Sequence, residues 1–150
     1  MVKLKIGDKF PDLKADSLDG ERSISSFKGK NKVVYFYPRD NTPGCTIEAK
    51  DFKDHKTKFD EMNTEIIGIS TNSLKSHKKF MDKYNLNFTL LSDENKILCD
   101  ACGVGKPGGK SAKRTTFLVD KNGTIRHVWD KVNVKGHAED VIDKIKELEL

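Results

Sequence analysis

The sequence contains little that would mark a secreted or membrane-embedded protein. No apolar run approaches the roughly 18 residues that span a bilayer, and the first residues lack the apolar stretch of a signal peptide. Only three cysteines are present, and without an export signal they indicate thiol chemistry in a reducing cytoplasm and not a disulfide framework. The sequence therefore predicts a cytoplasmic protein without a membrane partner.

Internal repeats, low-complexity tracts and linkers are also absent, so residues 1–150 are predicted to form a single domain. Apolar residues make up 35% of the chain and recur in periodic segments, which is typical of a folded protein. The net charge of +5 could indicate a nucleic-acid partner. The lysines, however, are scattered among acids and form no stripe with aromatic residues, so no nucleic-acid partner is predicted.

Hydrophobic periodicity divides the chain into alternating strands and helices. Short strands are predicted within residues 1–30, followed by strands at residues 32–37, 65–71, 88–91, 115–120 and 124–130. Helices are predicted at residues 45–60, 73–84, 93–102 and 138–148, with a glycine-rich loop at residues 103–113. Parallel strands need helical crossovers, whereas the Asn122-Gly123 turn joins antiparallel strands. The pattern predicts an α/β protein that resembles a thioredoxin-like fold, with a central mixed β-sheet and helices on both faces.

One cysteine lies where a loop passes into a predicted helix. The loop begins at Pro38, which cannot donate a hydrogen bond and so ends the preceding strand, and it runs to Cys45. A helix N-terminus stabilises the thiolate, which is the reactive form of cysteine. Thr42 lies three residues before Cys45, so its hydroxyl can reach the sulfur or its substrate, and Gly44 permits close approach. The pattern favours a reactive thiolate over an ordinary buried cysteine.

These residues carry a resemblance to a known family. Pro38-x-x-x-Thr42-x-x-Cys45 resembles the active-site motif of peroxiredoxins, and the longer string from Phe36 to Ala49 resembles the bacterioferritin-comigratory, or PrxQ, subfamily. The resemblance covers nearly the whole chain. It includes four further matches in the same order: Gly7-Asp8-x-x-Pro11, Leu91-Ser92-Asp93, the segment from Arg114 to Asp120, and Gly136-His137-Ala138.

The resemblance implies a cofactor-free and metal-free thiol peroxidase that is a monomer. It implies that Cys45 is the peroxidatic cysteine, which reduces hydrogen peroxide or organic hydroperoxides to water or alcohols and becomes a sulfenic acid. It also implies that thioredoxin or a similar thiol donor regenerates the enzyme. Thr42 would hydrogen-bond the peroxide, Arg114 would hold the thiolate and the transition state by charge, Pro38 would shield the site from water, and Glu48 would orient Arg114.

Charge chemistry supports the same roles, although simpler ones remain open. The attacked O–O bond develops negative charge, and the planar fork of Arg114 can donate to two atoms at once. Arg114 could instead be solvated, Glu48 could simply favour the helix dipole, and Thr42 could only cap a turn. No chemistry is predicted for the four histidines, since they lack ligand-like spacing: His55, His77, His127 and His137.

The chain departs from the PrxQ pattern at the resolving cysteine. Lys50 stands five residues after Cys45, where the subfamily commonly has a cysteine, and the predicted helix at residues 73–84 has none. Three schemes remain: Cys99 or Cys102 attacks after local unfolding, an external thiol reduces Cys45, or Cys99 and Cys102 relay the oxidation. The first is favoured, with Cys99 ahead of Cys102. Both could instead be core cysteines.

Two other classes of function compete with the peroxidase. A thioredoxin-like dithiol-disulfide carrier could use Cys99-x-x-Cys102, although a thioredoxin places its pair where Cys45 stands alone. A zinc module could use the same two thiols, but a closed zinc site needs four ligands and no second pair is suitably spaced.

Overall fold

A mixed β-sheet of seven strands organises the molecule. The computed structural model describes residues 4–106 and 108–150. The strands are β1 (Ala15–Ser17), β2 (Gly20–Arg22), β3 (Asn31–Phe36), β4 (Thr64–Ser70), β5 (Thr89–Ser92), β6 (Thr115–Val119) and β7 (Ile125–Trp129). The helices are α1 (Pro43–Asp54), α2 (Lys56–Glu61), α3 (Leu74–Tyr84), α4 (Ile97–Cys102) and α5 (His137–Glu147), with a 3-10 turn at Ile24–Ser26. Residues 1–3 of the predicted N-terminal segment and Pro107 of the predicted loop lie outside the described residues.

The strand order places β3 near the centre of the sheet. The order is β2-β1-β5-β4-β3-β6-β7, with β3, β4 and β5 mutually parallel and β6 antiparallel to both β3 and β7. Every residue of β3 is buried, as its run of valines and aromatics predicts. The predicted mixed sheet and the hairpin of β6 and β7 are confirmed.

Alternate residues of β3 point to two separate cores, because side chains alternate across a strand. Val33 and Tyr35 face a core that includes residues of α1, α2, α3 and α5. Val34 and Phe36 face the opposite core, which includes residues of α4 and the 3-10 turn. The sheet therefore has helices on both faces, as predicted, and it separates the two sets.

Two predicted helices have different bounds in the structure. The helix expected at residues 45–60 is two helices that meet at His55, whose Nδ1 approaches the carbonyl oxygen of Asp51 at 2.8 Å. The helix expected from Asp93 begins at Ile97, because residues 93–96 form a turn. The Asp93 carboxylate instead caps α4 by accepting the backbone N–H groups of Leu98 and Cys99 at 3.0 and 2.8 Å. Among the described residues, no helix combines the length and the hydropathy needed to cross a membrane.

We expect Gly68→Ala to destabilise the fold. A Cβ on Gly68 would lie 2.7 Å from Leu90 Cδ2 and 2.9 Å from Tyr35 Cζ, and both side chains are buried. Overpacking of this kind costs about 1–3 kcal/mol of unfolding free energy, measurable by urea denaturation. Gly105→Ala is the control, since its nearest neighbour is the flexible end of Lys96 at 3.4 Å. Equal stability of the two variants would contradict the expectation.

Candidate active site

The segment after β3 brings Cys45 into the first turn of a helix. The N–H of Tyr37 donates to Ile69 at 3.0 Å, and the half-buried Pro38 that follows has no N–H with which to continue the ladder. Thr42 is the N-cap residue of α1 and Pro43 its first residue, where a missing N–H costs nothing. Cys45 is thus the third helical residue, close to the unpaired N–H groups of the helix start. Its side chain is buried, with 1% of its surface exposed.

Arg114 links the sulfur of Cys45 to a buried carboxylate. Arg114 Nη2 lies 3.4 Å from Cys45 Sγ, and Nη1 donates to Glu48 Oε1 at 2.7 Å. The antiparallel register of β6 against β3 sets this position, since Thr115 pairs with Phe36 at the end of β3. Gly44 gives the guanidinium room, because a Cβ there would lie 3.1 Å from Arg114 Nη2 and press against it. The structure therefore brings Cys45, Arg114 and Glu48 together.

Glu48 is fully buried, and only one of its two carboxylate oxygens has a hydrogen-bond partner among the described residues. Its Oε1 accepts from Arg114, whereas Oε2 has no hydrogen-bond partner in the described part of the chain. Burial raises the pKa of Glu48 to about 7, and the charge of Arg114 opposes that rise without cancelling it. The charge near Cys45 therefore changes with pH close to neutrality.

Thr42 is at the site, but its hydroxyl proton is already used. Thr42 Oγ1 donates to the carbonyl oxygen of Arg39 at 2.9 Å and has no contact with Cys45 Sγ in the hydrogen-bond network of the described residues. The lone pairs of Oγ1 remain available, so Thr42 can accept a hydrogen bond from a peroxide O–H. The bond to Arg39 caps the turn, which is the simpler role that the sequence left open, and sequence spacing does not reveal this direction of the hydroxyl.

A buried polar network anchors the loop between Pro38 and Cys45, and sequence reasoning missed it. Asp40 Oδ1 accepts from Tyr37 Oη at 2.6 Å, and Oδ2 contacts Ser76 Oγ at 2.8 Å and His77 Nδ1 at 2.7 Å. His77 Nε2 approaches the carbonyl oxygen of Leu91 at 2.9 Å. His77 is buried in α3, but nothing in the sequence pairs it with Asp40. The network fixes the loop to α3.

His137 lies near Arg114, and the sequence did not predict this position. Its Nε2 hydrogen-bonds Thr116 Oγ1 at 2.9 Å, and its ring packs edge-on against Phe52. Burial and then the charge of Arg114 lower the pKa of His137 to about 4, so it is neutral at pH 7. His137 is therefore near enough to respond to the charge of Arg114, but it adds no second positive charge at pH 7.

Cys99 and Cys102 are not brought to Cys45. All three cysteines are buried free thiols, but Cys45 belongs to the core that includes α1, and the other two belong to the core on the opposite face of the sheet. Burial raises the pKa of Cys99 well above its usual range, and it raises that of Cys102 to about 12. Both thiols are therefore poor nucleophiles in the folded protein. The geometry disfavours direct attack on Cys45 and also the dithiol carrier.

No cluster of three or more His, Cys, Asp or Glu side chains suited to a metal ion occurs within residues 4–106 and 108–150. The zinc alternative thus has no supporting ligand set among them. Cys99 and Cys102 are surrounded mainly by apolar side chains of their core, including Val34 and Phe36.

Known proteins resemble this chain in sequence and in fold. Residues 6–128 match the AhpC/TSA family. The chain is 42% identical to Peroxiredoxin Bcp of Bacillus subtilis (strain 168) over 154 residues, covering 98% of each. The solved structure of a cysteine-to-serine mutant of Xylella fastidiosa PrxQ has a TM-score of 0.91 and 33% identity, covering 98% of each chain. A Xanthomonas campestris bacterioferritin comigratory protein, solved in work on its alkyl peroxide reduction activity, has a TM-score of 0.88 and 34% identity over 100% of each chain.

The chain belongs to the AhpC/TSA family. Together with these relatives, that membership confirms the prediction of a peroxiredoxin with a thioredoxin-like α/β fold, and hence of a peroxidase among the oxidoreductases.

We expect Glu48→Gln to change how stability depends on pH. The unfolded chain releases the Glu48 proton near pH 4.5 and the folded protein near pH 7, so the folded state binds more protons between these values. Stability from this group is therefore lost as pH rises through that window, by about 3 kcal/mol at most. Urea denaturation at pH 4.5 and pH 7.5 should show a smaller loss in the variant.

The matched control for that measurement is Glu94→Gln, at an exposed side chain. The control should keep the pH slope of the unmodified protein. An identical slope in Glu48→Gln and Glu94→Gln would show that Glu48 does not titrate in this window.

Proposed function

We propose that Cys45 is the peroxidatic thiol of a thiol peroxidase that reduces hydrogen peroxide and organic hydroperoxides. The observation that carries the proposal is the position of Arg114, which contacts both Cys45 Sγ and the buried Glu48. A guanidinium and a helix N-terminus at one sulfur favour the thiolate over the thiol. The family membership supports the same chemistry.

The reaction uses the contacts of the site as follows. The Cys45 thiolate attacks the terminal oxygen of the peroxide, an S–O bond forms and the O–O bond breaks. The departing hydroxide or alkoxide takes up the proton that the thiol released, which gives water or an alcohol and a Cys45 sulfenic acid. Arg114 stabilises the charge that develops on the oxygens. Thr42 Oγ1 accepts the peroxide O–H, and Pro38 limits the access of water.

We propose that an external thiol, such as thioredoxin or a similar donor, reduces the sulfenic acid. The donor thiol displaces the hydroxyl as water and forms a mixed disulfide with Cys45, and a second donor thiol then releases the Cys45 thiol. The alternative, attack by Cys99 or Cys102, requires chain unfolding, because a disulfide needs Cα atoms within about 7 Å and the sheet separates the two cores. We further propose a cytoplasmic, single-domain monomer.

The first test is the reaction of the reduced protein with one equivalent of hydrogen peroxide, followed by intact-mass analysis and peptide mapping. We expect the gain of one oxygen on Cys45, and no such gain in Cys45→Ser. Cys99→Ser and Cys102→Ser should react like the unmodified protein.

Two results would contradict parts of this proposal. Loss of two hydrogens with a peptide cross-linked between Cys45 and Cys99 or Cys102 would replace the external thiol by an internal one. An unmodified Cys45 with unconsumed peroxide would overturn the assignment of Cys45.

The second test concerns Arg114. Arg114→Met removes the donor to the reacting centre, so we expect the rate of Cys45 oxidation to fall about 100- to 1,000-fold in stopped-flow measurements. Arg114→Lys keeps the charge but loses the two-atom fork, so its rate should lie between those of Arg114→Met and the unmodified protein.

Arg126→Lys and Arg126→Met are the controls. Arg126 lies on β7 and pairs with Asp120 at 3.4 Å, so it has no contact with Cys45 or Glu48 among the described residues. Both should retain the unmodified rate. A rate for Arg114→Met within a few-fold of these controls would show that Arg114 does not stabilise the transition state.

A further inference from the structure

A cavity lies near the start of β3, on the face of the sheet opposite to the core of Cys45. Its volume is about 540 Å³. Phe10 and Ile24 supply its apolar wall. Its charged lining consists of four lysines and one acid: Lys9, Lys28, Lys32, Lys121 and Asp12. Small-molecule sites are commonly concave, with an apolar wall and a few charged or polar groups that orient the ligand.

Lys32 is the unusual member of this lining. It is the second residue of β3, only 3% of its surface is exposed, and it points to the core that contains Phe10. Its ammonium group has no hydrogen-bond or salt-bridge partner among the residues that the structure describes. Burial lowers the pKa of Lys32, while Asp120 and Asp12 oppose that shift from a distance. The Lys32 nitrogen is not one of the fully buried atoms without a partner, so the side chain is buried along its length while its charged end remains accessible from the cavity.

The two nearby acids are already engaged. Asp12 Oδ1 accepts the backbone N–H of Ser25 at 3.1 Å. Asp120 Oδ1 accepts the N–H groups of Asn122 and Thr124 at 2.9 and 3.0 Å, and its Oδ2 contacts Arg126. Neither carboxylate forms a salt bridge with Lys32 among the described contacts, and the cavity lining, with four lysines and one acid, keeps an excess of positive charge.

We propose that this cavity binds a small organic anion. Its phosphate or carboxylate group pairs with Lys32, supported by the lysines at the rim, and its apolar portion packs against Phe10 and Ile24. Lysine serves phosphate and carboxylate alike as a compact charge, so the shared feature is an anionic head on an apolar body. Two classes of small molecule have this form: nucleoside monophosphates and medium-chain carboxylates.

The cavity is separate from the peroxidase site. Lys32 stands near the start of β3, whereas Cys45 follows the loop at the end of that strand, and four residues of strand span about 13 Å. The cavity also lies on the opposite face of the sheet from the core of Cys45. The ligand is therefore not the peroxide, and the proposal does not depend on the proposed function.

The experiment is a titration of the full chain, followed by amide chemical shifts and by calorimetry. The probes are adenosine monophosphate, decanoate, inorganic phosphate and neutral adenosine. We expect sub-millimolar binding of adenosine monophosphate or of decanoate, with shifts at residues that line the cavity. Lys32→Met keeps the apolar stem, so it should fold and bind at least ten-fold more weakly. Lys79→Met, at an exposed residue of α3, is the control and should bind normally.

Each outcome separates the proposal from its rivals. Binding of only one of the two organic anions supports the proposal and identifies which of the two classes the cavity prefers. Inorganic phosphate or adenosine that binds as tightly as the organic anions would overturn it, as would the absence of binding at millimolar concentration. Equal affinity of Lys32→Met and Lys79→Met would also overturn it. If Lys32→Met does not fold, the test rests on the unmodified protein. Amide chemical shifts that change only at residues outside the cavity would then overturn the proposal.

Discussion

The site depends on one guanidinium that serves two buried acidic groups. Arg114 contacts the carboxylate of Glu48 with one nitrogen and the sulfur of Cys45 with the other. Neither acid has another cationic partner among the described contacts, and Glu48 keeps one oxygen without any partner at all. Burial favours the uncharged form of Glu48, and the charge of Arg114 opposes that protonation. A lysine in place of Arg114 has a single ammonium nitrogen, so it lacks the planar fork that contacts both groups at once.

The rest of the fold can be understood as the means of bringing Arg114 to Cys45, which is 69 residues away along the chain. The antiparallel pairing of β6 with β3 places Arg114 level with the end of the central strand. Pro38 ends that strand, and the contacts of Asp40 with Tyr37 and α3 hold the following loop. Gly44 leaves room for the guanidinium. The strand pairing, the contacts of Asp40 and the absence of a side chain at Gly44 are all needed for this geometry. The site therefore depends on the sheet as well as on the residues near Cys45.

The sequence predicted the local features well and the long-range ones poorly. The mixed sheet, the hairpin and the helix that carries Cys45 follow from periodicity and turn residues, which are local signals. The break at His55 and the capping of α4 by Asp93 were missed, because each depends on hydrogen bonds that periodicity does not reveal. The partnership of Asp40 with His77 was missed because it joins residues 37 positions apart. The Arg114 position was expected only through a family resemblance.

The sheet also sets a limit on the redox cycle. Side chains alternate along a strand, so two thiols attached to helices on opposite faces cannot meet unless one helix leaves the sheet. For α4 to do so, the bonds from Leu98 and Cys99 to Asp93 must break, and a buried apolar surface must be exposed. An external thiol needs only access to the first turn of α1, where Arg114 is already partly exposed. The smaller rearrangement is the reason that we assign the reduction of Cys45 to a second molecule.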